Sequence, residues 1–272
     1  MKFFSTRDED ACVVFKKKCV ILSSPSEGNV GQLAMDIILS AHCSSKLDCI
    51  GSIESFDLLP CTGVDQLSST SEKFLVAPLE VYAMRDTPFI FIQQRAICIR
   101  GRAQGFARDF MDLLASYEID RLVIICGAAP VDVFENSFSQ GNCLFSLIPQ
   151  GTHDESSFTA AYPNLLKFIS STQQIQLQPA STSMLSVMSG FPLAKMLVQS
   201  EAFPVYLFGK FCSDGNNAND GIDLAKAVSK ALCILGDDYF LLVDGVSRPA
   251  SWLRLFGPTL HHSREVVCSV YY

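Results

Sequence analysis

The first place where this sequence could do chemistry is the turn Ser24-Pro25-Ser26-Glu27-Gly28-Asn29, followed by Val30 and Gly31. Two glycines three residues apart, between an apolar run and an amphipathic segment, are the setting in which phosphate loops occur. Backbone N–H groups at a helix start attract anions there. The dinucleotide fingerprint needs G-x-G-x-x-G and the P-loop needs Gly-Lys-Ser/Thr. Neither is present, and Gln32 stands where a P-loop would place its lysine. The alternative is a packing role: positive φ at Gly28 and a close helix–strand approach at Gly31.

Other chemistry has thinner support. No G-x-S-x-G nucleophile elbow occurs; Val187-Met188-Ser189-Gly190 lacks the first glycine. The four histidines are His42, at a helix end, His153, in a polar loop, and His261 and His262, near the C-terminus. Asp237-Asp238 is a carboxylate pair with no third ligand beside it, which fits a solvated turn better than a metal site. The 11 cysteines include no C-x-x-C and no zinc spacing, so they are expected to be free thiols, mostly small buried hydrophobes. No catalytic residue, cofactor or metal ligand emerges.

The elements that must position these residues follow from patterning. The chain has 272 residues, 49% of them hydrophobic and 18% charged, with a formal charge of −7. It can bury a sizeable core, and it lacks the basic surplus of a nucleic-acid binder. Arg7 to Asp10 interrupt the N-terminus where a signal peptide needs its apolar stretch, and no apolar run is long enough to span a membrane. The expectation is a soluble protein of a reducing compartment, cytoplasmic and also nuclear.

Residues 1–17 predict a frayed or short edge element, and Cys19 to Ser23 a buried strand. Val30, Leu33, Ala34, Ile37, Ile38 and Ala41 recur at helical spacing, with Gln32, Asp36 and Ser40 between them, so a helix is expected over 30–42. A strand from Leu47 to Ile53 completes a βαβ unit of a parallel sheet. Strands are predicted over 74–82 and 88–99, joined by a hairpin turn at Arg85-Asp86-Thr87, and a helix over 104–117. Arg121 to Gly127 reads as the strongest buried strand. Residues 129–185 are the least regular, with loops at 136–141 and 149–157 and a Gln/Ser/Thr-rich stretch, 170–183, that reads as an insertion. A helix over 192–200, a strand over 204–211, a turn-rich loop over 213–220 and a helix over 222–235 follow. The fold class is α/β, a single domain with a mainly parallel sheet flanked by helices.

Three segments carry a resemblance. They are Gly28-Asn29-Val30-Gly31-Gln32-Leu33-Ala34-Met35-Asp36, then Leu79-Glu80-Val81-Tyr82 with Phe89 to Arg95, and then Ser251-Trp252-Leu253-Arg254-Leu255-Phe256-Gly257. In this order they resemble the proteasome assembly chaperone family. The resemblance implies a nucleoside-phosphorylase-like fold without enzymatic activity, cofactor or small-molecule substrate. It implies a heterodimer with a related subunit, proteasome assembly chaperone 1. That dimer would bind proteasome α subunits and promote correct α-ring formation of the core particle. The competing reading is a phosphorylase-like or hydrolase-like enzyme with an anion site at Gly28–Gly31. Gly28, Asn29, Gly31, Trp252, Leu255 and Phe256 are interface or structural candidates; a lone Trp flanked by leucines packs a chain end onto a core or anchors a partner.

The chain ends Val270-Tyr271-Tyr272, a hydrophobic–Tyr–any pattern that resembles proteasome-docking tails. The expected layout is an α/β domain over 1–258 and a flexible C-terminal tail over 259–272, the Tyr272 carboxylate pairing with a lysine between α subunits. Burying Val270 and the Tyr271 ring contributes roughly 3–6 kcal/mol. The carboxylate's hydrogen bond adds about 1.5–3 kcal/mol. Ordering three backbone residues costs about 3–6 kcal/mol, before the rigid-body cost of association. Alone, the tail binds on the order of millimolar or worse, so docking needs a second anchor.

Overall fold

The computed structural model describes residues 1–7, 10–42, 47–64, 75–129, 144–149, 166–171, 174–177, 202–234 and Trp252. Its strands are β1 (Lys2–Ser5), β2 (Cys19–Ser23), β3 (Leu47–Glu54), β4 (Gly63–Val64), β5 (Leu75–Val76), β6 (Leu79–Met84), β7 (Phe89–Gln94), β8 (Arg121–Ala128), β9 (Leu144–Pro149), β10 (Leu166–Ser171), β11 (Gln174–Leu177) and β12 (Val205–Phe211). The helices are α1 (Ala11–Phe15), α2 (Val30–His42), α3 (Ala103–Ser116) and α4 (Ala218–Leu232). Among the described residues, ten strands form one sheet in the order β1-β3-β6-β7-β2-β8-β12-β9-β10-β11, and β4 pairs with β5 separately.

The sheet is parallel at its centre, where β7, β2, β8 and β12 lie side by side. Every residue of β2 and of β12 is buried. Their sequences are accordingly near-continuous apolar runs, as strands covered on both faces must be. One face packs against α1 and α3 through Phe15, Phe106, Phe110 and Leu114; the other packs against α2 and α4 through Val30, Ile37, Ile38, Leu224 and Val228. Phe106 and Phe110 stack at 5.7 Å on α3, one turn apart. Among the described residues, no helix is long and apolar enough to cross a membrane.

The flanks depart from the sequence expectation. Strand β3 does follow β2 through α2, but two strands lie between them, and β3 is antiparallel to β6 and β1. The β6–β7 hairpin fills the gap beside β2. The run expected to be a strand over 88–99 stops at Gln94, because the Arg95 and Ala96 N–H groups turn to the Pro78 carbonyl. The segment over 74–82 is two strands, broken at Ala77-Pro78. The Gln/Ser/Thr-rich stretch is no simple insertion: β10 and β11 pair as an antiparallel edge of the main sheet, next to β9. Helix α4 starts a turn earlier than expected, at Ala218, and ends at Cys233, whose left-handed φ of 54° stops it. The helix expected over 192–200 lies outside the described residues.

The cysteines are also more exposed than expected. Cys19, Cys126 and Cys212 are buried, whereas Cys12, Cys49, Cys61 and Cys233 are exposed. They sit on the solvent side of α1, on β3, in the loop before β4 and at the end of α4, where apolar periodicity imposes no burial.

Candidate functional site

The glycine turn is built into the domain by its neighbours on both sides. Ser26 Oγ donates to the Ser24 carbonyl at 3.0 Å and accepts from the Gly127 N–H at 2.8 Å, tying the turn to the end of β8. Gly28 has φ +57°, which only glycine adopts without strain. A Cβ there would overlap the Asn217 side-chain amide and lie 3.2 Å from Cys212 Sγ. Asn217 is in turn fixed by donating to the carbonyls of Ser213 at 3.0 Å and Gly215 at 3.3 Å. At Gly31, a Cβ would overlap the Ile125 carbonyl oxygen and come within 2.9 Å of Cys126 Cα. The helix therefore starts in contact with the β8 backbone. Asn29 is the exposed member of the turn.

These contacts bear on the anion-site reading. The domain-facing side of the turn is filled by Asn217, Cys212 and β8, and the charges acting on Cys212 there include those of Asp220 and Glu27. Burial, with Asp220 adding to it, pushes the Cys212 thiol up to about 11, and burial raises Cys126 as well. Both stay protonated at neutral pH and are poor nucleophiles. Gly31→Ala is expected to destabilise the fold by about 1–3 kcal/mol, since the clash is with backbone that has no rotamer to yield. A denaturation midpoint unchanged from the parent would refute the packing role.

A second cluster was not legible as a site in the sequence. Asp36 lies on α2 with Gln32 one turn before it. Gln93 Nε2 donates to Asp36 Oδ1 at 3.1 Å, and Trp252 Nε1 donates to Asp36 Oδ2 at 3.3 Å. The Arg95 guanidinium stands 4.0 Å from Asp36 Oδ1 and donates through Nε to Glu80 Oε2 at 2.9 Å. Tyr82 OH donates to the same Glu80 oxygen at 3.1 Å. Ser23 Oγ donates to Gln93 Oε1 at 2.6 Å, and Gln32 Nε2 donates to the Gln94 carbonyl at 2.8 Å. The cluster thus sits at the carboxyl ends of β2 and β7, joining α2, the sheet and Trp252. Burial pushes the Asp36 carboxyl up to about 6, against the pull of Arg95 and the indole hydrogen bond. Burial opposes the Arg95 charge too, but Glu80 and Asp36 outweigh it and raise its pKa.

A carboxyl raised in this way at the end of parallel strands is a general acid–base candidate on location alone. Its oxygens are already engaged by Gln93, Trp252 and Arg95, so the arrangement holds elements together. All three segments that carried the family resemblance converge here: Gln32 and Asp36 from the first, Glu80, Tyr82 and Gln93 to Arg95 from the second, Trp252 from the third.

Trp252 is 1% exposed and packs among the residues of the α2–α4 face. Leu255, Phe256, Val270, Tyr271 and Tyr272, and with them His153, His261, His262, Val187 to Gly190 and Asp237-Asp238, lie outside the described residues. Among the described residues no group of three His, Cys, Asp or Glu could hold a metal ion. Among the described residues, most of the exposed large apolar side chains other than Val13 on α1 lie toward the β1 edge. Phe4, Phe56, Leu59 and Ile97 are all exposed there, Phe56 to 86%. A groove of about 650 Å³, lined by Phe4, Ile53, Phe56, Leu58, Pro78 and Ile99, runs beside them.

Comparison with known proteins gives the same direction as the motifs. The human protein named proteasome assembly chaperone 2 is 24% identical over 253 residues, covering 89% of this chain and 92% of its own length. The Danio rerio protein of that name is 26% identical, covering 91% and 95%. Two solved structures share the fold. One is Pyrococcus furiosus PbaA, described as an archaeal homolog of proteasome-assembly chaperone, with TM-score 0.55, 14% identity, and 89% and 92% of the two chains covered. The other is a Thermoplasma acidophilum protein of unknown function, with TM-score 0.58, 14% identity, and 89% and 84% covered. A family model described as the PAC2 family matches residues 20–191, from the second residue of β2 past β11 and hence through both the glycine turn and most of the polar cluster. With well over half of its length inside that match, the chain belongs to the PAC2 family.

Proposed function

We propose that this protein is a non-enzymatic proteasome assembly chaperone, acting as a heterodimer with proteasome assembly chaperone 1 on proteasome α subunits. The observation that carries the reading is the match, over about nine-tenths of both chains, to relatives that bear the name proteasome assembly chaperone 2. The geometry supports it in two respects. The glycine turn is packed from within, and the apolar groove at the β1 edge is the kind of surface that a protein partner covers. The Val270-Tyr271-Tyr272 ending docks between α subunits as one of two anchors, and linking two weak anchors raises avidity by about 10²–10⁴. The site of action is the cytoplasm and nucleus.

Co-expression with proteasome assembly chaperone 1, followed by size exclusion and native mass measurement, is expected to yield a one-to-one heterodimer. Deleting Val270 to Tyr272 is expected to leave that heterodimer intact while weakening α-ring capture by about 10²-fold or more, the lower end of the avidity that a second anchor supplies. A stable homodimer with no affinity for the partner chain would sink the assignment, and undiminished ring capture by the truncated chain would sink the docking role. In the same preparation, phosphate or nucleoside at a hundredfold excess over a real site would stabilise the chain by about 2.7 kcal/mol; no such shift is expected.

A further inference from the structure

We propose that the outer edge of β1 is where an extended strand of the partner subunit adds to the sheet, with an apolar side chain of that strand seated in the groove beside Phe4. The inference rests on the heterodimer reading and names the surface through which that pairing is made. Strand β1 ends the ten-stranded order, and among the described residues it pairs with β3 alone. The Thr6 N–H donates to the Ile50 carbonyl at 2.9 Å, and in the same register Phe4 stands opposite Ser52 and Lys2 opposite Glu54. Bonded and non-bonded pairs alternate in an antiparallel ladder. Lys2 and Phe4 therefore direct their backbone groups to β3, and the N–H and C=O of Phe3 and Ser5 point outward. Among the described residues nothing answers these four groups. Neither a proline nor a bulge against β3 interrupts the edge.

A row of outward backbone groups calls for another extended backbone, and the side chains around it say of what kind. Phe3 is buried in the core, so Phe4, next to it in the strand, faces the other way, and it is 44% exposed. The groove of about 650 Å³ continues from Phe4 along Ile53, Phe56, Leu58 and Ile99. Pairing with a four-residue strand is too small a contact to hold two subunits together, and the exposed Phe56, Leu59 and Ile97 enlarge it. Charge then separates a different chain from a second copy. Arg7 is paired with Asp48 at 3.0 Å. Lys2 has no ion pair, even with Glu54 opposite, and its Nζ lies 4.9 Å over the Phe4 ring. Lys2 to Arg7 contains two cations and no acid, so the β1 of a second copy offers Lys2 no counter-charge. The occupant is a strand of another chain, apolar where it faces Phe4 and acidic beside Lys2.

The full-length chain, alone and with proteasome assembly chaperone 1, provides the test. Amide exchange at Phe3 and Ser5 is expected to slow at least tenfold on adding the second subunit. Exchange at Phe4, already bonded to β3, should change little. Ser5→Pro removes one outward N–H without touching the ladder to β3, and is expected to weaken subunit binding about tenfold. Ser5→Ala keeps that N–H while losing the hydroxyl, and should bind like the parent. Phe56→Ser, at a side chain 86% exposed, should also weaken binding about tenfold while leaving far-UV circular dichroism unchanged. Lys2→Glu should cost about two- to fivefold, and the loss should shrink as salt is raised.

If Ser5→Pro does not fold, Phe56→Ser and the exchange of Phe3 and Ser5 in the parent decide the matter. A heterodimer that forms with those two amides still exchanging freely, or one that Ser5→Pro and Phe56→Ser join as tightly as the parent, overturns the proposal and leaves the heterodimer reading standing. Protection of Phe3 and Ser5 that grows with the concentration of this chain alone would make a second copy the occupant, and overturns it too. If the parent takes up no second subunit at all, the heterodimer reading fails and the edge proposal falls with it.

Discussion

Trp252→Ala is expected to destabilise the isolated chain by about 3–5 kcal/mol, the range for truncating a fully buried large aromatic. The ring is 1% exposed and lies against the α2–α4 face of the core, so its removal leaves a cavity that neighbours on two helices and the sheet can only partly close. The loss has a second component, because Asp36 Oδ2 then keeps its charge without the indole donor. Urea denaturation followed by far-UV circular dichroism measures the total, since the substitution removes the chain's tryptophan fluorescence. Trp252→Phe shifts the balance toward the hydrogen-bond component. It keeps a buried ring while deleting the N–H and a smaller part of the packing, with an expected cost of about 1–3 kcal/mol. A Trp252→Ala chain of nearly parental stability that no longer binds its partner would instead make Trp252 an interface residue.

What was legible in the sequence follows from the range of the interactions that define each element. Strand β2, helix α2 and strand β8 are written locally, in an apolar run or a 3.6-residue period, and they appear where expected. The edge at β9, β10 and β11 was not legible. Those strands are held by pairing across the sheet with β12 and with one another, and the four alternating residues Gln174 to Leu177 are lost within a Gln/Ser/Thr-rich stretch. Position of a strand in the sheet was likewise invisible: nothing in Leu47 to Ile53 says that a later hairpin will insert between it and β2. The glycine turn was legible as a turn, and both of its glycines meet the two backbone demands read from the sequence. The polar cluster was missed because its members come from three distant segments, each ordinary alone. A signal was present nonetheless. Gln32, Asp36 and Ser40 recur every four residues on an otherwise apolar helix, and Gln93-Gln94-Arg95 ends a strand that is apolar up to that point. Polar residues that abruptly end a buried strand need partners, and a half-buried polar stripe on α2 is where such partners lie.

The difference in stability between the parent and Asp36→Asn is expected to change by about 3 kcal/mol between mildly acidic and mildly alkaline pH, and its sign is fixed by the direction of the shift. The Asp36 carboxyl titrates near 6 in the folded chain and near its ordinary 3.8 when unfolded. Between those values the folded state holds the extra proton, so stability falls as pH rises from about 4 through 6, and the penalty is complete above about 7. The cause is burial, which Arg95 and the Trp252 hydrogen bond only partly offset. Glu80 faces the same guanidinium and limits how much of the Arg95 charge is available to Asp36. Asp48 shows the reverse. Its hydrogen bonds to Arg85 and Arg7 hold it down at about 2, so what it contributes is lost only as pH falls through the range from about 4 to 2. Asn at position 36 carries no charge and has no such dependence, so the variant gains on the parent as pH rises from about 4 to 8, and the two curves converge in acid. Denaturation midpoints across that range measure the effect. A constant offset would mean that Asp36 is not desolvated in the folded chain, and a difference that shrinks with rising pH would mean that the favourable charge of Arg95 outweighs its burial.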